Sequence, residues 1–495
     1  MTEHDDTKDH TVLDETSKRI SRRALLGLGM AGAAGAAAAY LGRESLARWM
    51  GTLSGKSVSD RPHVILIGLD TLRADSLGCY GYGRGTSPNI DTFSESGVLY
   101  ANTMSQSNWT LPAFASLFTG LMPHQHTAGL PINNDDGTMP TPVPRALPVL
   151  PEMLKELGYY TAAVTGGAYL SRTAGFDRGF DEFHEIGIKQ SRNSGEYQND
   201  LPKQLEKATE LVYDLHKTER LFLFLHSYEC HHPYIPPPSI VNAMDPDYAG
   251  LPLTGDINQD LATFGAQFTE REIARLKTFY DAEIFFSDRL LSLFFDTLDN
   301  LKIFDDSLII FTSDHGTEFF DHGSWKHGHT NLHNELIGVP MIIKYPGGHQ
   351  TGVVNDRIAR LVDIVPTILS DVLGIADVPE GIEGIPLSQP LPRRRAMSEA
   401  VMHKHGMRLF SLRDNGIKYI ADNSDNSVTA FNLADDPREW QDIADEFPEI
   451  SSEVALAAAN AEALFVTNLE NMQQGERETI NAEDFKLMRD LGYME

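Results

Sequence analysis

Carboxylate and imidazole side chains directly follow several apolar runs in this 495-residue chain. Asp70 ends the run HVILIGLD, Asp314 and His315 follow SLIIFT and one serine, and His231 lies in the loop after LFLFLHS. A single carboxylate at such a place is commonly a helix cap or an ion-pair partner. Two carboxylates that converge with an imidazole would repel each other unless a divalent cation lay between them. The pattern therefore predicts a metal site.

These side chains need a scaffold that brings strand ends together, and the rest of the sequence predicts one. Short apolar runs rich in β-branched or aromatic residues predict central strands at 63–70, 159–166, 221–227, 307–314 and 339–346. Helical periodicity occurs between them, at 149–158 and near 271–299. Alternating strands and helices predict an α/β fold whose mostly parallel sheet is covered on both faces and binds ligands at the carboxyl ends of its strands.

The pattern changes after about residue 392, where hairpin signals replace the alternation of strands and helices. The Asp-Asn-Gly stretch at 414–416 is one such signal. It predicts a smaller antiparallel sheet, followed by a closing helix from about Pro448 to Met472. We therefore expect a main domain over 60–392 and a C-terminal subdomain over 393–495.

Composition excludes several classes of partner and of architecture. A formal net charge of −29 repels nucleic acid and anionic membrane surfaces, so we expect no nucleic-acid partner. The overall charge does not exclude a small anionic substrate, because a local pocket can override the average. Only Cys79 and Cys230 are present, in no CxxC pair, which excludes a disulfide framework or a zinc finger.

The first 47 residues resemble a twin-arginine export signal. Arg22 and Arg23 precede a weakly apolar run rich in alanine and glycine, from Ala24 to about Leu41. The alternative is a short surface or membrane helix, although the run is at the lower length limit for a stable membrane span. We expect export across the cytoplasmic membrane, to the periplasm or the extracellular space. The signal is then either cleaved after Ala47 or kept as a membrane anchor.

Five blocks resemble, in order and spacing, those of the sulfatase family in the alkaline phosphatase superfamily. The blocks contain, in chain order, SNWTLPAFASLFTG, TAAVTGGAYLSRTAGFDRGFDEF, FLFLHSYECHHPYIPPP, IIFTSDHGTEFFDHG and HGHTNLHNELIGVPMIIKYPG. The resemblance extends from about Pro62 to about Pro448. It implies a three-layer alkaline phosphatase-like sandwich, with a sulfatase-like catalytic domain over 60–392. It also implies that a metal-bound nucleophile attacks the sulfur or phosphorus of an ester.

The chain departs from this family at the nucleophile. Sulfatases have Cys or Ser in a Cys-x-Pro-x-Arg block and oxidise it to formylglycine, whereas this chain has Thr110, with Phe114 in place of the arginine. Oxidation of a threonine would give a ketone, so formylglycine is not expected. The Lys and His of the family's Gly-Lys-Trp-His-like block have no counterpart in VTGGAYL, and the second carboxylate of its Asp-Asp pair is Thr71. The missing Lys and His also count against formylglycine, and Thr71 favours a site of lower charge with one metal ion.

Members of the superfamily with an unmodified threonine are chiefly phosphodiesterases and phosphoalcohol transferases. The resemblance to them implies that Thr110 is both metal ligand and nucleophile, because coordination lowers the pKa of a hydroxyl. The implied ligands of one divalent ion are Asp70, Thr110, Asp314 and His315. A mixed shell of oxygen and imidazole fits Zn²⁺ or Mn²⁺, whereas Ca²⁺ is the usual ion of the sulfatases. Alternatively Thr110 is the N-cap of a helix, and both roles are compatible.

Histidines supply the remaining candidates for catalysis. His231 matches the histidine of the family's Pro-His-x-Pro loop, which implies contact with the bound oxyanion or protonation of the leaving group. His232 is the alternative by a one-residue slip. One of His327 and His329 replaces the family's leaving-group lysine, and we assign His329. Second-rank candidates are Arg73, His322 and Lys326.

The sequence therefore predicts an exported metal-dependent hydrolase of sulfate or phosphate esters, with phosphoester chemistry favoured. Its expected partner is a small anionic ester, such as a sugar or a lipid head group. Two alternatives stay open. One is a phosphoalcohol transferase of the cell envelope, and the other is a non-catalytic binding protein on the same fold.

Overall fold

The computed structural model of this protein describes residues 58–129, 131–134, 137–187, 200–265, 267–325, 327–328, 331–375, 378–379, 381–390, 394–402 and 406–471. The expected export segment, residues 1–47, lies outside these ranges. Within them, no helix combines the length and the apolar character needed to cross a membrane.

Strands form the centre of both parts of the molecule. In chain order the strands of the described residues are β1 (Val64–Leu69), β2 (Val98–Met104), β3 (Pro131–Asn134), β4 (Gly137–Pro140), β5 (Tyr160–Thr165), β6 (Glu182–Glu185), β7 (Leu221–Ser227), β8 (Leu308–Thr312), β9 (Met341–Lys344), β10 (Val353–Arg360), β11 (Arg395–Met402), β12 (Gly406–Asp414), β13 (Ile417–Asp422) and β14 (Ser427–Asn432).

Eight of these strands form one sheet in the order β10-β2-β9-β8-β1-β7-β5-β6. Neighbouring strands are parallel except at β9, which is antiparallel to both β2 and β8. β3 and β4 form a separate hairpin. The pairing of β1 with β7 and with β8, both parallel, places the carboxyl ends of these three strands side by side.

The central strands are apolar throughout because both faces of the sheet are covered. Every residue of β1 is buried. Val64 and Leu66 belong to the hydrophobic core on one face, and Ile65 and Ile67 to the core on the other. Successive side chains of a strand point to opposite faces, so two covered faces require a continuous apolar run. The predicted three-layer α/β fold is confirmed.

Helices pack on the sheets. In chain order the α-helices of the described residues are α1 (Pro88–Glu95), α2 (Thr110–Thr119), α3 (Pro123–His126), α4 (Leu150–Glu156), α5 (Leu201–Leu215), α6 (Pro238–Met244), α7 (Ile257–Phe264), α8 (Glu270–Asn300), α9 (Asn334–Ile337), α10 (Ile364–Pro366) and α11 (Pro448–Asn471). The long helix predicted near 271–299 is α8. It begins at a capping box in which Thr269 and Glu272 each accept a hydrogen bond from the other's backbone N–H.

A second, antiparallel sheet of β11 to β14 follows in the C-terminal part. The predicted hairpin joins β12 to β13 through Asn415 and Gly416, whose φ angles of 48° and 81° suit a tight two-residue turn. On one face of this sheet, Phe410 and Tyr419 share a hydrophobic core with Phe465 of α11. The closing helix begins at Pro448, as predicted from the sequence.

The other face of the second sheet packs on the main domain. Ile420 and Phe431 share a core with Met104, the last residue of β2, and with Leu336 and Ile337 of α9. The C-terminal sheet therefore rests against the end of the main sheet at which β1 and β8 terminate.

Candidate active site

The three polar residues that follow β1 and β8 meet in one place. Asp70, Asp314 and His315 are fully buried, and each offers one ligand atom such that all three atoms lie within 4.8 Å of one another. The parallel pairing of β1 with β8 accounts for this, since it brings the residues after the two strands to the same edge of the sheet. Sequence spacing alone predicted this convergence.

Thr110 joins this group from the start of α2. Its Oγ1 lies 3.2 Å from Asp70 Oδ2 and 3.4 Å from His315 Nε2. The N-cap position of α2 is Trp109, and no side chain caps this end of the helix. The hydroxyl of Thr110 therefore points at the carboxylate rather than at the free N–H groups of the helix, and the N-cap interpretation of this residue is wrong.

Each of the two carboxylates has one oxygen that accepts no hydrogen bond and could bind a cation. Asp70 Oδ1 and Asp314 Oδ2 are buried without a hydrogen-bond partner, although His315 Nε2 lies 3.3 Å from the latter atom. Burial, and then the neighbouring Asp314, raise the pKa of Asp70 well above its ordinary value. Two buried carboxylates in this situation stay ionised only beside a positive charge. The donor set therefore fits a divalent cation.

Hydrogen bonds outside this donor set orient its atoms. The Nδ1–H of His315 donates to the carbonyl of Gly316 at 2.8 Å, which leaves the Nε2 lone pair facing the carboxylates. Asp314 Oδ1 accepts from the backbone N–H groups of His315 and Thr71, so its Oδ2 is the oxygen left for a metal. Such partners are typical of the second layer of a metal site.

Thr71 itself does not face the cation site. Its hydroxyl donates to the carbonyl of Cys230 at 2.7 Å, and its own carbonyl accepts from the hydroxyl of Tyr280. Its φ of 57° lies in the left-handed region, which is uncommon for a β-branched residue. Thr71 therefore shapes the turn after β1, and Asp70 is the carboxylate that this turn supplies to the site.

His231 faces His327 beside this group. Their Nε2 atoms are 3.2 Å apart, and the ring centre of His327 lies 4.6 Å from that of His315. The Nδ1–H of His231 donates to the backbone carbonyl of His232, so its Nε2 is the acceptor in this pair. Burial lowers the pKa of His231 well below its ordinary value. His327 therefore carries the proton that the two rings share.

The other histidines named from the sequence differ in position. His232 is turned away, because its Nε2 accepts from the backbone N–H of Ile257 and lies 3.3 Å from Asp256. His329, which we assigned as catalytic, lies outside the described residues, as does Lys326. The assignment of His329 stays a prediction, while His327 is the histidine of that pair that the described residues place at the site.

One neighbour of the site was missed by the sequence reasoning. His226, within β7, is fully buried with its Nε2 3.6 Å from Asp70 Oδ2, and neither ring nitrogen has a hydrogen-bond partner. Burial lowers its pKa to about 3, so the ring is neutral. The available signal was a histidine inside the otherwise apolar run LFLFLHS, because a polar residue in a central strand needs a reason to be there.

The ring of Phe114 packs against the ring of His226. The two rings meet edge to face with centres 5.1 Å apart, and Phe114 is fully buried. A Cβ atom at Gly68 would lie 3.0 Å from the tip of the Phe114 ring, so that glycine leaves room for it. The position at which the sulfatases carry an arginine is therefore part of the hydrophobic core.

Arg73 is engaged elsewhere. Its guanidinium pairs with Asp75 at 2.6 Å and with Asp321 at 3.0 Å.

A cavity of about 900 Å³ also lies away from the site, at the amino ends of the strands, where Arg220, Tyr345 and Arg357 line it. None of the candidate residues lines that cavity.

Comparison with known proteins agrees with the resemblance seen in the sequence. The sequence profile described as Sulfatase matches residues 62–375, more than half of the chain. Arylsulfatase K of Bos taurus is 30% identical over 201 residues, which cover 38% of this chain and 36% of that protein. The chain thus spans about a third of the length of this relative. N-acetylgalactosamine-6-sulfatase of Homo sapiens is 23% identical over 388 residues, covering 71% of this chain and 69% of that protein.

Solved structures show the same fold. One, in complex with its substrate D-glucosamine-2-N,6-O-disulfate, superposes with a TM-score of 0.67 at 18% identity, covering 84% of this chain and all of the other. The phosphonate monoester hydrolase of Agrobacterium radiobacter gives a TM-score of 0.60 at 20% identity, covering 82% and 96%. On the profile match, this chain belongs to the sulfatase family, in the alkaline phosphatase-like superfamily.

Proposed function

We propose that this protein is an exported metal-dependent hydrolase of anionic esters, in which the unmodified hydroxyl of Thr110 is the nucleophile. The observation that carries the proposal is the place of Thr110 Oγ1, 3.2 Å from Asp70 Oδ2 and 3.4 Å from His315 Nε2. A hydroxyl in this place lies within the donor set that fits a divalent cation.

A divalent cation held by Asp70, Asp314 and His315 would lower the pKa of the Thr110 hydroxyl and activate it near neutral pH. The start of α2 at Thr110 adds the positive end of the helix dipole, which favours an anionic group there. As the bond between Oγ1 and phosphorus or sulfur forms, the bond to the leaving alcohol breaks. Water then cleaves the threonine ester and returns Thr110 to its starting state.

His231 and His327 supply the proton that the leaving alcohol needs. They share one proton between Nε2 atoms 3.2 Å apart, and the ring of His327 contacts that of His315. When His327 is protonated on both ring nitrogens, it can give a proton to the leaving alcohol and then, as a neutral ring, take one back from the attacking water in the second step. The pair is therefore the general acid and base of the proposed reaction.

Phosphoesters are the favoured substrates because the formylglycine apparatus is absent from the described site. Thr110 occupies the nucleophile position, and Phe114, packed against Phe224 and His226, fills the place of the arginine. Sulfate esters are the second candidate, since the matching relatives are named sulfatases. A structural neighbour binds a sulfated glucosamine. By extension we propose an anionic sugar ester as the substrate, with a lipid head group as the alternative.

Metal analysis combined with a panel of nitrophenyl esters tests this function. The purified protein is expected to hold one equivalent of Zn²⁺, Mn²⁺ or Ca²⁺, and to turn over phosphate monoesters or diesters faster than the sulfate ester. Thr110→Ala should abolish this turnover. Thr119→Ala, the same change at the other end of α2, should preserve it, because the hydroxyl of Thr119 donates to the carbonyl of Ala115 and accepts from the backbone N–H of Leu121, away from Asp70.

Three results would count against the proposal. Turnover by Thr110→Ala at the wild-type rate would show that Thr110 is not the nucleophile. Strong sulfate turnover without phosphoester turnover would overturn the phosphoester preference. Protein without metal and without turnover of any ester would favour the binding-protein alternative.

Export is part of the same proposal, and its support is the twin arginine ahead of the apolar run. Cell fractionation of the full chain should place it outside the cytoplasm or on the outer face of the cytoplasmic membrane. Replacing Arg22 and Arg23 with lysines should retain it in the cytoplasm. An unchanged distribution would refute this route.

A further inference from the structure

Buried charges join the C-terminal subdomain to the loop that carries His327. Glu439 follows β14 and is 2% exposed, and Lys418 of β13 is fully buried. Lys418 Nζ lies 2.8 Å from Glu439 Oε1, and the backbone N–H of Asn334 donates to Glu439 Oε2 at 2.6 Å. Burial alone would raise the pKa of Glu439, but Lys418 and His333 together outweigh it and lower the pKa to about 2. The contact between the C-terminal subdomain and the main domain thus contains an ionised pair, and Glu439 of this pair binds the backbone at the start of α9.

Glu439 also holds the loop through its backbone. Its carbonyl accepts from His322 Nε2 at 3.2 Å, while His322 Nδ1 lies 2.6 Å from Glu335 Oε1. Both ring nitrogens face acceptors, so both carry protons and the ring is cationic. Burial opposes this charge, but the hydrogen bond to Glu335 outweighs it and raises the pKa of His322 to about 9. The ring of His333 stacks on that of His322 at 3.6 Å.

Glu318 links two parts of the same loop by hydrogen bonds. Its Oε1 accepts from the backbone N–H groups of His322 and Ser324, and its Oε2 accepts from Asn331 Nδ2 at 2.8 Å. The arm before His327 and the arm after it are therefore tied to one fully buried carboxylate. We call the described residues 318–325, 327–328 and 331–334 the histidine loop.

The histidine loop reaches the nucleophile from two directions. Asn108, two residues before Thr110, donates through its Nδ2 to the carbonyl of Asn331 at 2.9 Å. On the other side, His327 meets His231 at 3.2 Å. The loop thus sets the distance between the histidine pair and the start of α2.

The backbone at Glu439 is itself strained. Its φ of 57° lies in the left-handed region, which is costly for a residue with a Cβ and persists where the surroundings impose it. Its carboxylate is fixed by Lys418 and Asn334, and its carbonyl by His322. One residue of the C-terminal subdomain thus contacts the histidine loop through both its side chain and its main chain.

We propose that Glu439 is a positioning residue of the active site, which holds the histidine loop so that His327 stays against His231. The role rests on the proposed function for its effect on turnover, but the hold on the loop does not depend on it. A residue that merely stabilised the subdomain would change the free energy of unfolding without changing the loop or the turnover of the folded protein.

The test uses Glu439→Gln in the full chain, read by hydrogen exchange and by turnover. Amide exchange in peptides that span the histidine loop should rise about tenfold, while peptides of β1 and β8 stay unchanged. The kcat should fall roughly 10- to 100-fold, the loss typical of a disturbed supporting group. In a His327→Ala background the same change should have no further effect on kcat, because the group that Glu439 positions is gone.

A matched control and a second variant keep the test decisive. Asp422→Asn breaks the ion pair of Asp422 with Arg408 on the same sheet, away from the loop, and should change neither readout. If Glu439→Gln leaves Lys418 uncompensated and fails to fold, the double variant with Lys418→Met removes the buried charge and is measured in the same way.

Two results overturn the inference. One is unchanged exchange of the histidine loop in the folded variant. The other is an equal fall of kcat with and without His327. Absence of turnover in the wild-type protein would instead refute the proposed function, and the exchange measurement would still decide whether Glu439 holds the loop.

Discussion

Replacing Asp70 with asparagine is expected to stabilise the metal-free protein, whereas most changes at a fully buried residue destabilise a fold. The ligand atoms of Asp70 and Asp314 lie within 4.8 Å of each other, and at an effective dielectric constant near 20 two such charges repel by roughly 3 kcal/mol. Asparagine removes one of them and keeps an oxygen that can accept the hydrogen bond from Thr110. Loss of charge assistance in that bond offsets about 1 kcal/mol, so the expected gain is about 2 kcal/mol.

The gain should depend on pH with a defined sign. The pKa of Asp70 is raised in the folded protein, so the folded state binds more protons than the unfolded state between the ordinary and the raised pKa. The free energy of unfolding of the metal-free wild-type protein should therefore fall as pH rises through the raised pKa. Asp70→Asn lacks this fall, so its advantage should grow with pH.

Urea denaturation in the presence of a chelator, from about pH 5 to about pH 9, measures this difference. Asp363→Asn is the matched control, because Asp363 is equally buried but pairs with Arg360 at 2.8 Å and with Arg394 at 2.9 Å. That control should lose about 3 kcal/mol or more, since it leaves two arginines without their carboxylate. Added metal should stabilise the wild-type protein and not Asp70→Asn. The reasoning is refuted if Asp70→Asn is the less stable protein at high pH without metal.

Three further outcomes follow from the site and the chain. His327→Ala should lower kcat by about 100-fold. His232→Ala, which removes the hydrogen bond from Ile257 and the contact with Asp256, should leave kcat within about threefold in the same nitrophenyl ester assay; equal losses would contradict the assignment. Phe114→Arg should lower the free energy of unfolding, measured in urea, by more than about 3 kcal/mol, because it buries a charge beside Phe224 and His226. A variant of wild-type stability would show that water reaches the side chain at this position. Removal of residues 1–47 should leave a soluble protein with the wild-type urea midpoint, and aggregation of the truncated chain would count against the export interpretation.

Most of the central sheet could be predicted from the sequence, because its strands are buried on both faces. The runs that became β1, β5, β7, β8 and β9 are continuous and apolar, and the structure places all five in the sheet. The edge strand β10 (VVNDRIAR) was not predicted, since its exposed half gives no apolar signal. β9 was predicted as a strand, but its antiparallel direction depends on long-range pairing that a local pattern does not contain.

At the site, residues at strand ends were easier to predict than residues placed by loops. Asp70 and Asp314 converge because parallel neighbours end at one edge of the sheet, which the strand pattern already indicates. The choice between His231 and His232 depends on the path of one loop, and the N-cap interpretation of Thr110 failed because its hydroxyl points at Asp70. His226 was missed because its place beside Asp70 depends on the pairing of β7 with β1, which a local pattern does not contain.

The mass of the proteolytic fragment that carries Thr110, in resting protein and in protein quenched with acid during phosphoester turnover, tests the central claim most directly. We predict an unmodified threonine at rest and a phosphoryl adduct on Thr110 in the quenched sample, absent from Thr110→Ala. Thr110→Ser should also form the adduct, because its hydroxyl can occupy the same place beside Asp70. Turnover with the adduct on another residue, or with none on Thr110, would contradict the account.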